Sequence, residues 1–105
     1  MSIMNQLPMN QLETASGGKM SKIIVANWKM NGSNAFINAF FQKLTPKSPH
    51  KVVFCPPYPY LGAVSSHIKE CHYYLGAQNC HTNNAGAFTG DISAEMLIDT
   101  GCQYV

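Results

Sequence analysis

Lys29 follows Asn27 by two residues and opens Lys29-Met30-Asn31-Gly32, just behind the apolar run Ile23-Ile24-Val25-Ala26. A lysine placed this way can present its ammonium to an anion. The lysine ammonium is a compact, mobile point charge. At about 4 Å and an effective dielectric near 20, a unit charge pair is worth on the order of 4 kcal/mol before desolvation. The same residues also have a plainer reading, in which Lys29 is a solvated surface lysine and Asn27 a turn residue bonded to its own backbone.

The elements around these residues bear on that choice. Ile23 to Ala26 is apolar without alternation, the pattern of a strand buried on both faces of a parallel sheet. Asn27 and Lys29 then stand at the carboxyl end of the strand, where ligands bind in α/β proteins. Ser33 or Asn34 can cap a following helix, in which Phe36, Ile37, Phe40, Phe41 and Leu44 form one apolar stripe. Thr45-Pro46-Lys47-Ser48-Pro49 stops it. Val52 to Cys55 reads as a second buried strand closed by Pro56-Pro57, and Tyr58 to Tyr60 as a turn. Leu61, Val64 and Ile68 mark a second helix through about Glu70, with His67 and Lys69 pointing outward. Tyr73 to Gln78 is a third strand, whose small Gly76 and Ala77 suit a crowded position.

The polar stretch Asn79 to Gly90 is longer than most strand-to-helix links, which favours a functional or interfacial role. Phe88 is its odd member: either an anchor for a partner or a ring folded back on its own domain. Asp91 or Ser93 can cap a third helix, with Asp91 and Glu95 near its positive end, Met96, Leu97 and Ile98 as its buried side, and Gly101 closing it. Cys102 to Val105 starts a fourth strand. Strand, loop and helix repeat in units of roughly 25 to 30 residues, which implies βαβ crossovers and a parallel sheet.

The totals narrow the function classes. The chain has 105 residues, 46% hydrophobic and 11% charged, enough for one modest core and no second domain. Its net charge is +2 and all seven basic residues are lysines, which argues against nucleic acid as a partner. Apolar runs fall far short of the roughly 20 residues that span a bilayer. The four cysteines, Cys55, Cys71, Cys80 and Cys102, form no Cys-x-x-Cys pair and follow no secretory signal, so a reduced cytoplasmic chain with buried thiols is expected. Cys71-His72 and Cys80-His81 fit no usual zinc spacing, and no metal site is expected. Residues 1–19 show no helical or strand period and read as a disordered tail or a mis-assigned start, with translation beginning at Met20. Residues 20–105 then form the domain.

Three stretches carry a resemblance: Ala26-Asn27-Trp28-Lys29-Met30-Asn31-Gly32 after the first strand, Ala77-Gln78-Asn79 closing the third, and Gly86-Ala87-Phe88-Thr89-Gly90-Asp91-Ile92-Ser93 in the long loop. In this order, with these elements between them, they resemble the triosephosphate isomerase family over about Lys22 to Val105. The resemblance implies an α/β fold, the N-terminal part of a (β/α)8 TIM barrel, with three βα units and the start of strand 4. A whole barrel takes about 250 residues.

The resemblance also implies an activity: interconversion of dihydroxyacetone phosphate and D-glyceraldehyde 3-phosphate, in glycolysis and gluconeogenesis, with no metal or organic cofactor. Asn27 would orient the phosphorylated triose, and Lys29 would offset the charge of its phosphate and of the developing enediolate. Met30, Phe88 and Thr89 would lie in a homodimer interface, Thr89 close to Asn27 and Lys29 of the other subunit. Asp91 stands where the family more often has glutamate. This family is itself the standard example of a glutamate base paired with a neutral histidine electrophile, and none of His50, His67, His72, His81, Glu70 or Glu95 occupies those positions. The 105-residue chain is therefore expected to be inactive alone. Two other readings compete with this one. The first is a non-catalytic split or decayed-gene module that binds phosphate or a complementing chain. The second, a small flavodoxin-like phosphate-binding domain, is weakened by the missing fourth helix and incomplete last strand.

Overall fold

The computed structural model describes residues 22–44, 49–68 and 73–105. Expectations for residues 1–19, Met20, residues 45–48, Lys69, Glu70, Cys71 and His72 lie outside them. Strand β1 (Ile23–Asn27) is followed by helix α1 (Asn34–Lys43), strand β2 (Lys51–Cys55), a 3-10 turn (Tyr58–Tyr60), helix α2 (Leu61–Ile68), strand β3 (Tyr73–Leu75) and helix α3 (Ala94–Asp99). The three strands form a parallel sheet in the order β1-β2-β3. The register runs from Ile23 opposite Lys51 to Asn27 opposite Cys55, and from Val52 opposite Tyr73 to Phe54 opposite Leu75.

Strand alternation sorts the core into two faces. Phe54, Leu75 and Ala77 pack with Ile37, Leu61, Val64, Ile68 and Leu97 on the helix side. Val53, Cys55 and Tyr104 gather on the other face, with Val25 and Tyr74 against them. Successive strand residues point to opposite faces, so Asn27 shares the second face with Val25. The two-sided burial read from the sequence holds for β2, where Val53, Phe54 and Cys55 are all buried. It does not hold for β1: Ile23 and Ile24 are 38% and 46% exposed, because β1 has β2 on one side and, among the described residues, nothing on the other.

Ser33 caps α1, its hydroxyl accepting from the Phe36 amide at 3.0 Å. Of the expected stripe, Ile37 is fully buried, Phe40, Phe41 and Leu44 are half-buried and Phe36 is 49% exposed. The stripe is wider than the surface offered by β1, β2 and α2. Its outer edge is a row of aromatic rings, with Trp28 edge-on to Phe36 and Phe40 at centroid distances of 5.4 and 6.1 Å. Such pairs each add about 0.5 to 1.5 kcal/mol beyond burial.

Helix α2 buries Leu61, Val64 and Ile68 as expected. His67, however, is no solvated residue. Its ring stacks on Phe41 at 5.2 Å, and Nε2 lies 3.0 Å from Asn38 Oδ1, which joins α2 to α1. The third strand is shorter than expected. Regular pairing ends at Leu75, and Gly76 instead bridges to Tyr104 in parallel. Gln103 donates to the Leu75 carbonyl at 2.8 Å and the Ala77 amide to that of Tyr104 at 2.9 Å, so residues 103–104 lie in parallel beside the end of β3 as an isolated bridge.

Ser93, not Asp91, caps α3. Only Leu97 of that helix is buried, whereas Met96 and Ile98 are 51% and 56% exposed. Consecutive helical residues point about 100° apart, so three in a row cannot share one contact face. Gly101, at φ 99°, ends the helix. Its amide donates to Ile98 and that of Cys102 to Leu97, both at 3.0 Å, the paired bonds of a Schellman stop.

Candidate functional site

At the carboxyl edge of the sheet the chain leaves β1 through Trp28 to Gly32. The Trp28 amide donates to the Cys55 carbonyl at 3.1 Å, continuing the β1–β2 ladder one residue past the strand. The Asn27 side chain then turns the backbone, Oδ1 accepting from the Lys29 amide at 2.9 Å. This is the self-bonded turn that asparagine makes readily. It also fixes the carboxamide, leaving its NH2 group with donors to offer. Asn31 closes the turn from the far side, donating to the Trp28 carbonyl at 2.9 Å.

Lys29 has a φ of 55° and, among the described residues, is the one non-glycine with positive φ. For a side chain with a Cβ this conformation costs roughly 1 to 2 kcal/mol. It persists only where surrounding groups hold it. The holder is Gln78, whose Nε2 donates to the Lys29 carbonyl at 2.7 Å and to the Cys55 carbonyl at 3.0 Å. One carboxamide thereby ties the loop after β1 to the ends of β2 and β3, and leaves the Lys29 side chain exposed.

The sequence reading placed Gln78 in a motif without giving it a task. A signal was available: two positions beyond Gly76, it falls by alternation on the same face as Tyr74, the face shared by Asn27. Burial pushes the Cys55 thiol up to about 11, with the neighbouring Cys102 thiol adding to the shift. A thiol so held is protonated and inert. Gly32, at φ 135°, brings the chain past the rings of Tyr60 and Trp28, which a Cβ there would meet at 3.4 and 3.5 Å. An open groove lined by Trp28, Asn31, Gly32, Ser33 and Phe36 lies on the helix side of the loop. Neither Asn27 nor Lys29 lines it.

The second loop, from Asn79 to Asp91, is exposed over residues 82–90. Tyr58 holds its root, the hydroxyl meeting both the carbonyl and the side-chain oxygen of Asn79. Burial first, then the charges of Cys80, Asp91 and Cys102, keep that hydroxyl above the usual phenol range. Phe88 folds back onto its own chain, its ring tilted by 30° against that of His81 at a centroid distance of 4.2 Å, and stays 43% exposed. Thr89 is exposed and Met30 is 93% exposed. No three His, Cys, Asp or Glu side chains gather as a metal site among the described residues. None of their helices is long and apolar enough to cross a membrane.

These features define a class: a parallel α/β unit that presents a lysine ammonium from a strained, externally held loop at the sheet's carboxyl edge. Comparison with known proteins takes the assignment further. The family model of triosephosphate isomerase matches residues 22–105. The triosephosphate isomerase of Wolbachia sp. subsp. Brugia malayi is 47% identical over 92 residues, covering 82% of this chain and 37% of that protein. Those of Dechloromonas aromatica and Aquifex aeolicus are 41% and 39% identical, over 80% and 82% of this chain and 35% and 36% of theirs. The chain belongs to the triosephosphate isomerase family. It spans about a third of the length of the relatives it matches.

Proposed function

We propose that this chain contributes the first part of a (β/α)8 barrel that interconverts dihydroxyacetone phosphate and D-glyceraldehyde 3-phosphate as a cytoplasmic homodimer. The observation that carries this is Lys29, held at positive φ by Gln78 in the loop at the sheet's carboxyl edge, with its side chain exposed. Backbone strain maintained by neighbours at a ligand-binding edge is typical of functional positions. Lys29 supplies the positive charge for the phosphate and for the enediolate oxygen that becomes negative after proton abstraction. Asn27, its Oδ1 already engaged, orients the substrate through its NH2 group. Phe88, Thr89 and Met30 are the interface residues of this reading, and their exposure supports it.

Acid–base groups typically contribute about 10²- to 10⁴-fold each. The histidines of the described residues are engaged elsewhere: His50 accepts from the Lys22 amide, His67 bridges α1 and α2, and His81 lies under Phe88. The 105-residue chain alone is therefore expected to show no turnover. The alternative, a non-catalytic module that pairs with a complementing chain, draws support from Ile23, Ile24 and Phe36, exposed along the β1 edge and the outer side of α1.

The test is the intact mass and activity of the native protein, captured through peptides of the Asn27–Gly32 loop. A mass of about 25 to 27 kDa, as a barrel of roughly 250 residues requires, is expected with turnover that falls at least 100-fold in Lys29→Ala. A mass near 11.5 kDa with no partner chain would withdraw the catalytic reading in favour of the module. Turnover by the purified short chain, free of host isomerase, would overturn the expectation that it is inactive alone.

A further inference from the structure

We propose that His81 is a protonation-sensitive latch of the Asn79–Asp91 loop, holding Asn83 through Nδ1 and Phe88 through its ring face, with Nε2 placed to form an ion pair with Asp91 when the ring is protonated. Nδ1 accepts from the Asn83 amide at 2.9 Å. The ring face carries Phe88 at 4.2 Å. Nε2 stands 3.9 Å from Asp91 Oδ2. Main-chain contacts root the residue itself, since its amide donates to the Ile92 carbonyl at 2.7 Å and it bridges to Ser93. The side chain therefore acts from a fixed point on an otherwise exposed loop.

An acceptor at Nδ1 requires the neutral imidazole with its proton on Nε2, facing Asp91. Protonation places a second N–H on Nδ1, directly opposed to the Asn83 N–H, and that hydrogen bond is lost. The same event puts a full charge beside Asp91 and under the Phe88 ring, both of which gain. Acidification thus exchanges one loop contact for another: Asn83 is released while Phe88 and Asp91 are held more firmly.

The other ionisable groups near the ring are few. Cys80 precedes it in the chain, and the Tyr58 hydroxyl on Asn79 is held neutral by burial. Helix α3 contributes uncharged Ser93 and Met96 to the cleft beside the ring and carries Glu95 in its first turn. The inference does not depend on the role of Lys29.

The test is a pH titration of the isotopically labelled 105-residue chain by nuclear magnetic resonance, following the His81 ring nitrogens and the Asn83 amide together. At neutral pH the ring is expected as the Nε2–H tautomer. On acidification the Asn83 amide should lose roughly 5- to 10-fold in exchange protection, one net hydrogen bond's worth, with the midpoint of the His81 ring, while Phe88 stays stacked. In His81→Phe the Asn83 step should vanish. In Asp91→Asn it should remain, because Nδ1 is the group that breaks the bond. An Asn83 amide unmoved through the His81 titration, or a neutral ring protonated on Nδ1, would overturn the proposal.

Discussion

The two loops at the carboxyl edge of the sheet are held in opposite ways. The short one, Trp28 to Gly32, is turned locally by Asn27 and Asn31 and clamped from outside: Gln78 and the Cys55 carbonyl, from the segment after β3 and from β2, fix a lysine in a conformation it would not choose. The long one, Asn79 to Asp91, is shaped mainly from inside, by His81, Phe88 and Gly86 packed on one another. A loop clamped by the sheet keeps the backbone that carries a charged side chain in place. A loop that carries its own small core can move or reshape without disturbing the sheet.

The comparison makes its sharpest claim at Gln78. Gln78→Glu replaces a donor with a carboxylate facing two carbonyl oxygens, and should cost about 3 kcal/mol of global stability. Denaturant unfolding measures this, and loss of the Lys29 amide signal should accompany it. A change confined to the loop would break the contrast. Gly86→Ala should behave the other way. Its Cβ would stand 2.6 Å from the Phe88 ring at a φ of 147°, an expected cost of about 2 kcal/mol. That cost should be taken up within the loop, seen as Phe88 leaving His81 with the unfolding midpoint shifted little.

A smaller effect distinguishes the buried thiols. Cys55, raised from 9.0 to about 11, binds its proton more tightly folded than unfolded. Its contribution to stability is complete below pH 9 and is lost as pH rises toward 11. Cys102, Tyr58 and Tyr104 are raised as well and act in the same sense. Lys51, lowered by burial beneath the Tyr74 ring, opposes them. Stability measured from pH 8 to pH 11 should fall, and less steeply in Cys55→Ala. Smallest is the strain at Lys29. Lys29→Gly should be more stable than Lys29→Ala by about 1 kcal/mol, although both lack the ammonium. Equal stabilities would mean that the clamp imposes no strain.

The framework was legible in the sequence because it rests on local rules. Periodicity located the first two helices and capping with a closing glycine the third, Ser33 and Ser93 sat among the named caps, and Val52 to Cys55 formed the expected buried second strand. The burial of each face was less legible, since it depends on neighbours that no local pattern names. Ile23 and Ile24 have the composition of a doubly covered strand, yet lie on an uncovered edge. Met96 and Ile98 flank a single inward residue, and His67 reached a partner on another helix.

The sequence by itself determined the order of strands and helices, their stops, and the placing of Asn27 and Lys29 at a strand's end, because alternation, helical period and capping act over a few residues. Only the tertiary structure decided that Lys29 sits at positive φ, that Gln78, 49 residues away, holds it there, and that one imidazole gathers Asn83, Phe88 and Asp91. The first two depend on distances across the fold, set when the sheet brings the ends of separate strands together, and the third on how one loop folds back on itself.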